Sequence, residues 1–194
     1  MVVLYVGRSA CGKTTKAKNL VKEKDFNLLV PYTTRPKREG EIDGVDYHFV
    51  TENEFFKALD EDKFIEVRSY DTAFGTWYYA TPQFSPSKNM AGVADVKGAL
   101  EIMNYCLTNN IKCNIMFIRV PEVIRELRAM KRGSFDRAEW ERRKFADIVD
   151  YSDDKYDLLL EKEAENYDLF HVEKMWNYSS EELYEAMDYV KSNK

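Results

Sequence analysis

The chain has little that would tie it to a disulfide framework, a membrane or nucleic acid. Its 194 residues include three cysteines, Cys11, Cys106 and Cys113. An odd number without framework spacing excludes a disulfide-stapled scaffold and fits free thiols in a reducing compartment. There are two histidines, His48 and His171, far apart, and no cysteine–histidine group has the spacing of a zinc site. No apolar run approaches the ~18 residues of a membrane span. The start, MVVLYVG, lacks a basic flank and a cleavage site, so it reads as a buried strand rather than an export signal. The net charge of −5 offers no basic excess for a polyanion. Internal repeats and low-complexity segments are also missing.

What is present is a pattern of short apolar runs separated by helical sequence. Hydrophobic residues make up 44% of the chain, enough for a substantial core. Strands are expected at 2–6, 26–30, 47–50, 64–70, 77–81, 92–96, 113–120 and 167–172. The run CNIMFIRV, 113–120, is nearly unbroken and predicts a central strand buried on both faces. Helices are expected from Lys13 to about Lys24, from a Thr51/Glu54 capping box to about Leu59, after 96 to about Leu107, from Pro121 to about Lys131, over 138–148, and after Ser179 with Glu182. Strands alternating with helices predict an α/β domain with a mainly parallel sheet. Residues 32–81 break the alternation and read as an inserted mixed α/β substructure. The basic stretch KRGSFDR, 131–137, reads as an exposed loop.

Residues 7–14, GRSACGKT, fit G-x-x-x-x-G-K-[ST]. In that arrangement backbone N–H groups wrap phosphates, and Gly7 and Gly12 allow the close approach. Lys13 reaches the β- and γ-phosphates, and the Thr14 hydroxyl ligates Mg²⁺. The positive end of the next helix faces the same anions. The strand before and the helix after are the context the motif needs. Gly7, Ser9, Cys11, Gly12, Lys13, Thr14 and Thr15 are therefore the expected ATP-binding residues. A thiol such as Cys11 at a helix start is also open to a redox role.

The run TTRPKREGEIDGVDYHFV, 33–50, carries the second signal. Thr33, Thr34, Arg35, Arg38, Glu41, Gly44, Tyr47 and Phe49 resemble the guanylate kinase signature. The resemblance covers roughly residues 1–150 and fades after that. The residue chemistry agrees: Arg35 and Arg38 can grip a phosphate monoester, and Tyr47 adds a neutral donor. An ionised acceptor oxygen needs no strong base, so the work is positioning and charge neutralisation. In FIEVRSY, one carboxylate of Glu66 can accept from guanine N1–H and its amino group together, and adenine would be rejected. The resemblance gives Glu66 this role, places Tyr79 on the acceptor phosphate and Thr81 on the base, and leaves Tyr78 to packing. It also matches Asp95 to an acidic residue of the acceptor and metal site. The alternative for Asp95 is a helix cap.

The lid implied by the resemblance spans 131–147, with Arg132, Arg137, Arg142 and Arg143 as candidates to stabilise the transferring phosphoryl. Arg132 is assigned to ATP and Arg143 to catalysis, beside Lys13, Arg35 and Arg38. The expected architecture is a P-loop NTPase core in one domain, 1–194. The core comprises 1–31, 82–130 and 148–194, the monophosphate-binding region 32–81 and the lid 131–147. The expected reaction moves a phosphoryl group from ATP, with Mg²⁺ held by Thr14 and Asp95, to GMP and dGMP. A related P-loop kinase with another phosphorylated acceptor, or a non-catalytic phosphopeptide-binding domain, are the alternatives. Small nucleotides are the expected partners of a cytoplasmic monomer or weak homodimer, without nucleic acid or membrane.

Four positions depart from the family pattern. Pro31 stands where a serine donates to guanine O6, so another donor is required, with Tyr32 and Arg68 the candidates. Val93 replaces the first aspartate of D-x-D. Ala80 replaces the glycine of YYGT. SYDTAFGTW, 69–77, is about three residues longer than the usual turn.

Overall fold

The computed structural model describes residues 1–72, 75–131 and 135–192. In chain order the elements are β1 (Val2–Val6), α1 (Lys13–Glu23), β2 (Asn27–Leu28), β3 (Tyr32–Thr33), β4 (His48–Phe49), α2 (Glu52–Asp60), β5 (Phe64–Thr72) and β6 (Gly75–Pro82). They continue with β7 (Met90–Ala94), α3 (Val96–Thr108), β8 (Cys113–Arg119), α4 (Glu122–Met130), α5 (Arg137–Asp150), α6 (Asp153–Glu165), β9 (Phe170–Trp176) and α7 (Ser180–Ser192).

Five strands form a parallel sheet in the order β2-β7-β1-β8-β9. Its middle strand is β1, and all five of its residues are buried. The period of two sends Val2, Leu4 and Val6 to one face and Val3 and Tyr5 to the other. On the first face they meet Ile102 and Met103 of α3 and Leu159 of α6. On the second they meet Ala17 of α1, Ile124 of α4 and Ala186 of α7. A sheet covered on both faces is what parallel pairing requires.

The run read as a central strand is β8, an interior strand with core residues on both faces, while the middle place in the sheet is held by β1. β8 lies one strand in from the edge strand β9, and Asn114, Met116 and Arg119 are only half-buried. Its apolar run is longer than that of β1, but run length reports side-chain burial and not position in the sheet. Other elements also differ from the sequence reading. β7 stops at Ala94, so Asp95 caps α3 rather than ending a strand, β9 starts at Phe170, and α6 was not expected.

A second, smaller sheet has the order β4-β3-β6-β5, with all its strands between Tyr32 and Pro82. β3 pairs parallel with β4 and antiparallel with β6, and β5 with β6 is antiparallel. Phe55 and Ala58 of α2 pack with Phe64 and Ala80 beneath it. The Thr51/Glu54 capping box forms as read, and it fixes the start of α2. Within the SYDTAFGTW stretch the β5–β6 ladder continues to Thr72↔Gly75.

Candidate active site

The loop between β1 and α1 is built on backbone conformations that suit glycine. Gly12 caps α1 at φ 95°, in the left-handed region. A Cβ there would lie 2.6 Å from Asn177 Nδ2, and one on Gly7 would lie 2.5 Å from the Ile118 carbonyl oxygen. Gly7 is thus required by space, since the Ile118 carbonyl is backbone, and Gly12 by its φ, since the Asn177 side chain could move. Asn177 Nδ2 donates to the Cys11 carbonyl at 2.8 Å, and Arg128 Nη1 does so at 3.3 Å. Arg128 is itself held by Glu182. The outer side of the loop is therefore clamped by α4, α7 and the residue after β9. Cys11 is fully buried in this packing.

Lys13 Nζ donates to the carbonyls of Gly7 and Arg8, the latter at 3.1 Å. Asp147, near the end of α5, accepts from Ser9 N at 2.9 Å and from Ser9 Oγ at 3.2 Å. Arg125, 1% exposed, donates to Asp147 and to the Ser9 carbonyl at 3.1 and 3.2 Å. Burial lowers the pKa of this guanidinium, and the Asp147 carboxylate opposes the shift.

The second sheet supplies the other wall. Thr33 is buried and accepts from Arg35 N at 3.1 Å while donating to the Tyr78 carbonyl at 3.0 Å. This pins the start of the arginine loop to β6. Arg35 is almost fully buried and donates to Glu41 at 2.7 Å. Its guanidinium lies 5.3 Å from the Tyr47 ring centroid. Glu41 also accepts from Arg38 N at 2.8 Å. The Arg38 side chain makes no salt bridge among the described residues. Burial lowers its pKa, and the nearby charges of Arg35 and Arg143 add to the effect. A cation depressed by neighbouring cations marks a place prepared for an anion.

One cleft of about 450 Å³ joins the two walls. Its lining includes Ser9, Lys13 and Thr14 on the loop side, and Arg35, Arg38, Tyr47 and Tyr79 on the other. Arg142 and Arg143 of α5 also line it. Glu139 holds both, accepting from Arg142 Nε and Arg143 Nε at 2.7 Å. These bonds keep the Glu139 carboxyl at about 2, Arg142 first, against the opposing effect of burial. Arg137 does not line the cleft, and Arg132 falls outside the described residues.

The base end differs from the sequence reading. Glu66 and Thr81 pair across β5 and β6, and Thr81 Oγ donates to Glu66 Oε1. Neither lines the cleft; Arg68, two residues on along β5, does. Arg68 Nε and Nη2 donate to the two oxygens of Glu66 at 2.8 and 3.1 Å. Its Nη1 donates to Asp95 Oδ2, which also accepts from Tyr70 at 2.8 Å. Burial of Arg68 is outweighed by Asp95, then Glu66 and Tyr70, so its pKa stands above the usual arginine value. Asp95 Oδ1 accepts from Gly98 N at 2.7 Å. Gly7, Cys11, Gly12 and Thr15 do not line the cleft. Tyr78 packs against Phe55 and Phe56 in the small sheet's core, as read.

A magnesium ion fits Thr14, whose side chain is at the cleft wall beside Lys13. Asp95 is less suited to it, because Arg68 and Tyr70 both bond Oδ2 and Gly98 N bonds Oδ1.

A parallel sheet with G-x-x-x-x-G-K-T at its helix start, facing an arginine-rich second sheet, is the arrangement of a P-loop nucleotide-binding protein. The guanylate kinase family model matches residues 1–178. A guanylate kinase of Clostridium perfringens is 36% identical over 143 residues, covering 69% of this chain and 62% of that protein. One of Schizosaccharomyces pombe is 34% identical over 137 residues, covering 68% of this chain and 66% of that protein. The matched stretch thus spans a little under two thirds of these relatives' own length. The crystal structure of guanylate kinase from Anaplasma phagocytophilum has the same fold, with a TM-score of 0.53 at 20% identity over all of this chain and 84% of that one. The chain belongs to the guanylate kinase family.

Proposed function

We propose that this chain moves the γ-phosphoryl group of ATP to GMP, giving ADP and GDP. The observation that carries this is the single cleft with a phosphate-binding loop on one wall and Arg35, Arg38, Tyr47 and Tyr79 on the other. Lys13 and the loop N–H groups hold the donor phosphates. Arg35 and Arg38 hold the acceptor phosphate and offset the repulsion between the two anions. An acceptor oxygen attacks the γ-phosphorus as the bond to the β–γ bridging oxygen breaks. Arg142 and Arg143 exchange Glu139 for the transferring phosphoryl and stabilise its charge. Mg²⁺, ligated by Thr14, would neutralise the donor phosphates. Water must be excluded, or ATP would be hydrolysed instead. The reading includes dGMP, since no residue given a role needs the 2′-hydroxyl.

The test is product formation from ATP–Mg²⁺ with GMP, dGMP, AMP, CMP, UMP and dTMP in parallel. GDP and dGDP are the expected dominant products. Turnover of a different monophosphate with none of GMP would overturn the acceptor assignment.

A further inference from the structure

Arg68 is placed as a built recognition element. Its side chain is 14% exposed and lines the cleft, with Glu66 behind it at 3% and Asp95 beside it at 15%. An arginine has five N–H groups. Three are used: Nε and one on Nη2 by Glu66, and one on Nη1 by Asp95. One N–H on Nη1 and one on Nη2 remain without a partner among the described residues. The packing leaves Arg68 little choice of position. A Cβ on Gly98 would sit 3.3 Å from Arg68 Cζ and 3.3 Å from Asp95 Oδ1. The side chain is thus fixed from three directions: Glu66 along its own strand, Asp95 at the start of α3, and the bare backbone of Gly98 beneath it.

Glu66 cannot present a free pair of oxygens to the cleft. Oε1 already accepts from Thr81 and Arg68, and Oε2 accepts from Arg68. What the cleft meets is therefore the Arg68 guanidinium, with one N–H left on Nη1 and one on Nη2, and not a free carboxylate. A guanidinium fork pairs with two adjacent acceptors, and guanine carries O6 and N7 side by side. Adenine has an amino donor in place of O6, so the same fork opposes it.

We propose that Arg68 is the residue that meets the base, donating its two remaining N–H groups to guanine O6 and N7, while Glu66 and Asp95 position it. The inference rests on GMP being the acceptor. It supplies the donor that Pro31 cannot, and it makes the 2-amino group of guanine dispensable.

The experiment compares kcat/KM for GMP, IMP, 7-deaza-GMP and AMP in the wild type, R68K and R68A, with folding checked by circular dichroism. In the wild type IMP, which keeps O6 and N7, stays within about threefold of GMP. 7-deaza-GMP, which lacks the N7 acceptor, falls by roughly 5- to 150-fold, and AMP falls at least as far. In R68A and R68K the gap between GMP and 7-deaza-GMP closes, while the IMP-to-GMP ratio holds. A purely structural role would lower all purines together and leave that gap open. A wild-type loss of a hundredfold or more with IMP means that Glu66 reads the 2-amino group directly, and it overturns the proposal. So does equal use of GMP and 7-deaza-GMP. If GMP is not used at all but another monophosphate is, the acceptor assignment fails and this inference fails with it. If GMP is used and the analogue pattern is reversed, only this inference fails. The wild-type series needs no variant to fold.

Discussion

Lys13 folds back onto the carbonyls of Gly7 and Arg8, so its ammonium is held over the loop by the loop itself. Those bonds are local and half-exposed, so removing the side chain should leave the core alone. K13A is expected to lower kcat by at least about a hundredfold, the scale of losing one charged donor at a transferring group. Thermal melting should show the fold intact. A retained rate would undo the role given to the loop. Glu139 supports a second prediction at this scale. Its carboxyl is held at about 2 by Arg142 and Arg143, below the ordinary ~4.3. A depressed acid contributes stability that is complete above its unfolded value and is lost as pH falls toward the folded value. Wild type should therefore melt higher than E139Q at pH 6, and the gap should narrow between about pH 4.5 and about pH 2. A gap that does not change with pH would mean the two ion pairs contribute nothing.

At the scale of elements, α5 is more than a lid. Its last turns reach the phosphate-binding loop, where Asp147 bonds Ser9 and Arg125 closes the triangle from α4. Arg125 is 1% and Asp147 8% exposed at the side chain. Removing one partner of such a pair leaves a buried charge, which costs about 3–5 kcal/mol. For a chain of this size D147A should lower Tm by roughly 10 °C. D147N, which keeps the acceptor for Ser9 N, should lose less. Equal melting temperatures for all three proteins would show the triangle to be idle. The elements also show what a sequence can disclose. The loop was readable because strand, glycine spacing and helix fall within fourteen residues. The α2 start was readable because its capping box is local. α6 was missed because only Tyr156 and Leu159 of its thirteen residues are buried, too thin an apolar stripe to stand out of the charge. Asp95 was read with two roles open, and its contact with Arg68 joins residues 27 positions apart in the chain. One signal for Arg68 was present: Glu66 and Arg68 are two apart on a strand, so they share a face. Which of them faces the cleft is set by the β5–β6 pairing with Thr81, which no local pattern encodes.

On the scale of the whole molecule, the phosphate-binding loop belongs to one sheet and Arg35, Arg38 and Tyr79 to the other. The chain crosses between the sheets at two short connections, from β2 to β3 and from β6 to β7. The proposed reaction uses these two crossings as its hinge, and the Arg68–Asp95 ion pair joins β5 to the start of α3 at the cleft. Each nucleotide carries its phosphates toward the other wall, so neither alone gives both walls a partner. In the proposed reaction Arg142 and Arg143 add a third constraint, because they would reach the transferring phosphoryl only by leaving Glu139. Closure should therefore be small with ATP or GMP alone and complete with a non-hydrolysable ATP analogue, Mg²⁺ and GMP together. A compact chain of this length has a radius of gyration of about 16 Å. Small-angle scattering should show that value falling only in the doubly bound protein. Scattering curves that superpose across all four conditions would mean a preformed cleft, and water exclusion would then have to come from the lid residues alone.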